Sequence, residues 1–251
     1  MNNKKSKIIV GFAIALILCI GNYGLSYASS KNNLKNNLSE LNKIVEKIEK
    51  TSTKKVAKKK IKEIKKIEKK IDKLKINERV KEIAKQDATE VKSLCYEVKN
   101  NKKLTDIAKL KAENCKFRIK STEIINKNIK NKNLDDIIRK EAAKQLNKQF
   151  INFNDKVLSV VSSGKNYKTE ELSKAASEIR SQTLSINTSY FKVKDYTKLD
   201  IELMDAILDA NDAMKEFSKG KLTVGEYIKK RTNILKISDK YGPFDLESKT
   251  K

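Results

Sequence analysis

Histidine and tryptophan are absent from this 251-residue chain, and proline occurs once. Without histidine there is no Ser-His-Asp triad, no Cys-His pair and no zinc site that uses imidazole. Three of the seven glycines fall before residue 25, leaving Gly164, Gly220, Gly225 and Gly242 for everything after it. That supply is too small for a glycine-rich phosphate loop or for the turns of a β-sheet. Acidic residues are also scarce, with 32 Asp and Glu against 57 Lys and Arg, for a net charge of +25. Only five of the bases are arginine: Arg79, Arg118, Arg139, Arg180 and Arg231. A field of this size favours polyanions and anionic surfaces as partners.

Charged residues make up 35% of the chain, above the usual quarter or so. The surface is therefore large relative to the core, as in an elongated helix bundle. The expected fold is all-α: antiparallel helical hairpins, seven to eight helices, after an N-terminal signal segment.

Lys4, Lys5 and Lys7 precede an apolar run from Ile8 to Ile20, and Ser26 and Ala28 place small residues at the −3 and −1 positions of a cleavage site. This is the layout of a secretory signal peptide over residues 1–28, cut after Ala28. Two other readings compete. Residues 8–28 could serve as a retained anchor, although the apolar run is short of the ~20 residues that a span needs. Cys19 could be lipidated, although Leu18 is large for the position before such a cysteine. All three put the remainder outside the cytoplasmic membrane, secreted or associated with the cell envelope.

Residues 29–98 read as a lysine-rich helical arm. An apolar stripe starts at Leu34, and Thr51-Ser52-Thr53 marks a break or cap. Lys54 to Ile76 follows, with Ile61, Ile64, Ile67, Ile71 and Leu74 spaced 3, 3, 4 and 3 apart, a narrow seam of coiled-coil type. From Lys43 to Lys85 the bases outnumber the acids by 18 to seven. Glu46–Lys50, Glu63–Lys66 and Asp72–Lys75 are placed for pairing along the helix. Lys54, Lys55, Lys58, Lys59, Lys60, Lys62, Lys65, Lys66, Lys69 and Lys70 are the candidate polyanion-binding residues. Asn77 is placed to cap the next helix, which runs to Val98.

Residues 99–251 read as a helical bundle. Thr105 opens a helix, the asparagine-rich run 126–133 is a loop and a candidate subdomain boundary, and Asn133 caps a long helix ending near Gly164. Thr169 caps another. Residues 190–197 fit either a connector or a continued helix. The final hairpin has a stop at Gly220, a capping box at Thr223–Glu226 with Leu222 and Tyr227 as its staple, and an end at Gly242-Pro243.

Cys95 and Cys115 remain after cleavage as a candidate disulfide. An exported pair favours a bridge. In a simple hairpin centred near Asn101, however, the two are offset by ~12 Å along the axis. Asp205, Asp209, Asp212 and Glu216 line one helix face; carboxylates strung along a regular helix do not encircle a metal, and no metal or cofactor is expected. The Ser162–Lys165 stretch spells Ser-x-x-Lys, but the partner motifs of that enzyme class are missing. Asn187-Thr188-Ser189 spells a glycosylation site.

The expected function is therefore non-enzymatic. The chain reads as an exported envelope or surface protein whose lysine face binds an anionic envelope polymer or a membrane surface, with nucleic acid a less favoured partner and no small-molecule substrate. The alternative is an interaction module, self-associating or pairing with another helix through the Ile61–Leu74 seam.

Overall fold

The computed structural model describes residues 28–162, 170–191 and 196–242. The expected signal segment up to residue 27 lies outside them, as do Gly164, Thr169 and Pro243 and the Ser163–Lys165 part of the Ser-x-x-Lys stretch. Eight α-helices and no strand occur among the described residues. They are α1 (28–50), α2 (Lys54–Asp72), α3 (Glu78–Asn101), α4 (Asp106–Lys127), α5 (Leu134–Ser162), α6 (Glu170–Tyr190), α7 (Lys198–Ser218) and α8 (Val224–Ser238), followed by a 3-10 turn, Asp239–Tyr241.

Local chemistry accounts for most boundaries. Thr53, Asn77 and Thr105 each accept a backbone N–H at the start of α2, α3 and α4. The α3–α4 turn begins at Lys102, which adopts a left-handed conformation and donates its N–H to the Val98 carbonyl. At the end of α7, Gly220 takes a positive φ. Its N–H reaches the Phe217 carbonyl while that of Lys221 reaches Glu216, the paired bonds of a Schellman stop. Thr223 and Glu226 form the expected capping box, and Thr197 and Asp200 form a second one at α7. Residues 29–33, ahead of the apolar stripe that starts at Leu34, are helical as well. Cross-helix bonds fix them: Lys31 Nζ donates to the Lys127 carbonyl, and Asn126 donates to that of Lys31.

The first four helices form a ring. α1 runs antiparallel to α2, with Glu40 beside Lys70 and Ser30 beside Lys75. It meets α4 through Lys31 and through Glu49–Lys116. α3 packs between α2 and α4. Helices α5 to α8 form a second set in which α8 returns onto α5, and contacts from α3 and α4 to α5 and α6 join the two sets. One buried apolar cluster runs from Leu34 to Ile234 through all eight helices. Burying each Leu or Ile in it contributes about 1.5–3 kcal/mol against exposure. Val98, where the lysine-rich arm was expected to end, lies within α3, which continues to Asn101, and α4 turns back along it to complete the first ring.

Candidate anion-binding face

α2 supplies the most one-sided surface. Its apolar residues Ala57, Ile61, Ile64, Ile67 and Ile71 are all buried. Leu74, just beyond the helix, is buried as well. The seam thus packs into the chain's own core, between α1 and α3. A partner helix would have to displace that core to reach it, which removes the free face that pairing through Ile61–Leu74 requires.

With the seam turned inward, helical geometry places Lys55, Lys58, Lys59, Lys62, Lys65, Lys66 and Lys69 on the opposite side, within about a third of the circumference. All seven are exposed, as are Lys54 and Lys73 at the ends. The three acids of α2 sit on its flanks and are engaged there. Glu63 pairs with Lys60 at 2.6 Å, Glu68 with Lys92, and Asp72 with Lys85 at 3.0 Å. The hydrogen bond from Lys85 to Asp72, with a second to Glu82, holds its pKa above the ordinary lysine value. The pairings expected from spacing, Glu63–Lys66, Asp72–Lys75 and Glu46–Lys50, do not form; Glu46 accepts from Asn42 instead. As a result Lys54, Lys55, Lys58, Lys59, Lys62, Lys65, Lys66 and Lys69 make no ion pair among the described residues. Of the ten candidate lysines, Lys60 and Lys70 stand apart. Lys60 is half-buried beside Glu63, and Lys70 reaches Glu40 across the α1–α2 groove at 3.2 Å. That groove encloses about 290 Å³ above Ile44 and Ile67.

The arginines do different work. Arg118 is completely buried; it donates to Asp87 at 3.1 Å and to the hydroxyls of Ser185 and Ser189. Burial raises the Asp87 pKa to about 6, against the pull of Arg118 and of the Thr122 hydroxyl. Arg139 donates to Asp200, Asp136 and Thr197, while Arg79 reaches Asp200, Asp135 and the Tyr190 carbonyl. Burial would raise the Asp200 pKa, but the Arg139 bond, Thr197 and Arg79 outweigh it and bring it down to about 2. Arg180 bonds Asn211 across α6 and α7, and Arg231 lies over the Phe150 ring. The sequence reading missed these bridges. The available signal was the rarity of arginine in a lysine-rich chain.

Cys95 and Cys115 are free and buried, which corrects the candidate disulfide. α3 and α4 are joined where Asp87 accepts from both Arg118 and Thr122. Cys95 lies near Lys60 and Glu63 of α2, whereas Cys115 lies near Glu90, Arg118 and Lys111, so the two thiols occupy different parts of the core. Burial pushes the Cys95 thiol up to about 12 and Cys115 well above its ordinary value, so neither is a ready nucleophile.

The acidic face of α7 forms as spaced, with Asp205, Asp209 and Asp212 exposed and Glu216 paired with Lys230 at 2.7 Å. Asn187 is half-buried and donates to the Met204 carbonyl. Tyr190 and Phe191 are buried, whereas Tyr196 is exposed. A groove of about 400 Å³ between α4, α5 and α6 is bordered by Asp106, Glu113 and Asp155 and by Lys109, Lys156 and Lys174, with no net charge among them. No helix among the described residues is long and apolar enough to cross a membrane. No family model, curated protein or solved structure matches the chain.

Proposed function

We propose that this is an exported, non-enzymatic protein of the cell envelope or surface that binds an anionic partner through the outer face of α2. The observation that carries the reading is the run of unpaired lysines there, with the acids of α2 engaged on its flanks. An extended polyanion meeting this face exchanges its counterions for ammonium groups over about five helical turns, so affinity falls steeply with salt. Export rests on the basic end, apolar run and small residues of the first 28 positions. It favours envelope polymers and anionic lipids over nucleic acid as the partner.

The test is binding to long-chain polyphosphate and to anionic vesicles across a salt series. Changing Lys58, Lys62, Lys65 and Lys69 together to glutamine should weaken binding at least ~10-fold at low salt and flatten the salt slope. Unchanged binding, or binding that survives high salt, removes this reading. Intact-mass measurement of the chain recovered outside the cells should give a start at Ser29. If the chain is found only inside the cells, the order of preferred partners inverts.

A further inference from the structure

We propose that the groove between α1 and α2 seats a single phosphodiester group between Lys43 and Lys66, over Ile44 and Ile67. This rests on the anionic-partner reading and gives it a discrete site. The groove is bordered by four lysines, Lys43, Lys60, Lys66 and Lys70, and by two carboxylates, Glu40 and Glu63. The carboxylates are not spare: Glu63 holds Lys60 and Glu40 holds Lys70. Lys43 and Lys66 are exposed and make no ion pair among the described residues, and they come from different helices. They leave the groove with a net charge of +2, carried on two flexible stems that can close on one anion from either wall.

The floor selects further. Ile44 and Ile67 are each only 3% exposed and present an apolar base to the groove. A phosphodiester suits both features. Its tetrahedral oxyanion takes a charge-assisted hydrogen bond from each wall, and its carbon substituents lie along the apolar floor. Inorganic phosphate lacks those substituents. Each wall offers one ammonium group without an ion pair among the described residues, so the groove takes one diester while the outer arc of α2 attracts the charges beyond it.

The experiment is an NMR titration with glycerophosphoglycerol, a soluble diester, following the Ile44 and Ile67 methyl groups. The expected result is saturable shifts at these two residues. Lys43→Gln with Lys66→Gln should weaken binding about 10-fold or more, while Lys58→Gln with Lys62→Gln, an equal loss of charge outside the groove, should change it less than about threefold. Equal weakening by the two pairs, or shifts spread over α2 without saturation, overturns the seat while leaving polyphosphate binding by the outer arc intact. If the four-lysine variant keeps full polyphosphate binding but the groove still saturates, the wider reading fails and the seat stands. Phosphatidylglycerol vesicles separate the sources. A lipid headgroup is the source if the groove pair loses vesicle binding and keeps polymer binding; a soluble phosphodiester is the source if it loses binding to a glycerol-phosphate polymer and keeps vesicle binding. Thermal melts of both pairs should match the unaltered protein, because none of the four lysines is buried.

Discussion

The outer face of α2 and the seam where α3 and α4 meet α5, α6 and α7 are both dense in basic residues, and the two use charge in opposite ways. On that face of α2 the bases are lysines, exposed and without an ion pair among the described residues. In the seam they are arginines, buried or half-buried, each facing acceptors on other helices. The residue types suit the two settings. A guanidinium presents five donors in a planar fork and is weakly hydrated, so it can satisfy several buried acceptors at once. An ammonium is compact and strongly hydrated, and it keeps its charge in water at the end of an apolar stem. The 57 bases therefore divide in two: a few arginines, matched by acids, that join the two sets of helices, and many lysines left at the surface.

The seam itself has a dry part and a wetter part. Asp87 has Arg118 as its only arginine partner and no exposure, and burial holds its pKa up at about 6. Asp200 has two arginines and a cap, and its pKa falls to about 2. The signs of their pH effects differ. Asp87 binds a proton more tightly in the fold than an ordinary carboxylate does, so its contribution is full below pH ~4 and is lost as pH rises through 6. Asp200 binds its proton more weakly, so its contribution is present above pH ~4 and is lost as pH falls through 2.

The largest expected effect comes from breaking the dry pair. Arg118→Met should cost about 3–5 kcal/mol at pH 7.5 in urea unfolding, because it leaves the Asp87 charge buried without a cation. With that cation gone the Asp87 pKa moves further up, so the loss should shrink at pH 5, where the carboxyl is protonated. Adding Asp87→Leu should recover much of the loss. A loss that is the same at both pH values would contradict the dry environment assigned to Asp87.

Asp200→Asn should cost less, about 1–3 kcal/mol at pH 7. The variant and the unaltered protein should converge in stability as pH falls from 4 towards 2, measured by denaturant titration at several pH values. The smallest effect belongs to the lysine face. Glutamine at Lys58, Lys62, Lys65 and Lys69 should shift stability by no more than about 0.5 kcal/mol per residue. If the lysine variant destabilises as Arg118→Met does, the contrast between the two regions is lost.

Much of the helix layout was legible before folding was considered. Thr53, Asn77, Thr105 and Thr223 could be read as caps because a cap is a bond between a side chain and a backbone N–H two or three residues away. That α2 carries one apolar face was legible from the spacing of its isoleucines. The ion pairs of α2 were not, since a flexible lysine or glutamate chooses among all charges within reach, and for Glu68 and Asp72 the nearest partners lie on α3. The cysteine offset was half legible. Ending α3 at Asn101 and starting α4 at Asp106 puts Cys95 six residues before the turn and Cys115 nine after it, an offset of only ~4.5 Å, so the surroundings of each thiol rather than its spacing decide that both stay free.

By itself, then, the order of residues determined an all-α chain, the places where most helices start and stop, and a lysine surplus on α2. Those features depend on contacts within a turn or two of helix. Tertiary structure alone decided that the isoleucine seam faces the chain's own core, that the arginines lie inside, and that Glu68 and Asp72 of α2 turn to partners on α3. Each of these outcomes depends on which helix lies beside which. It is that arrangement, more than the count of lysines, that leaves one face of α2 without an ion pair among the described residues.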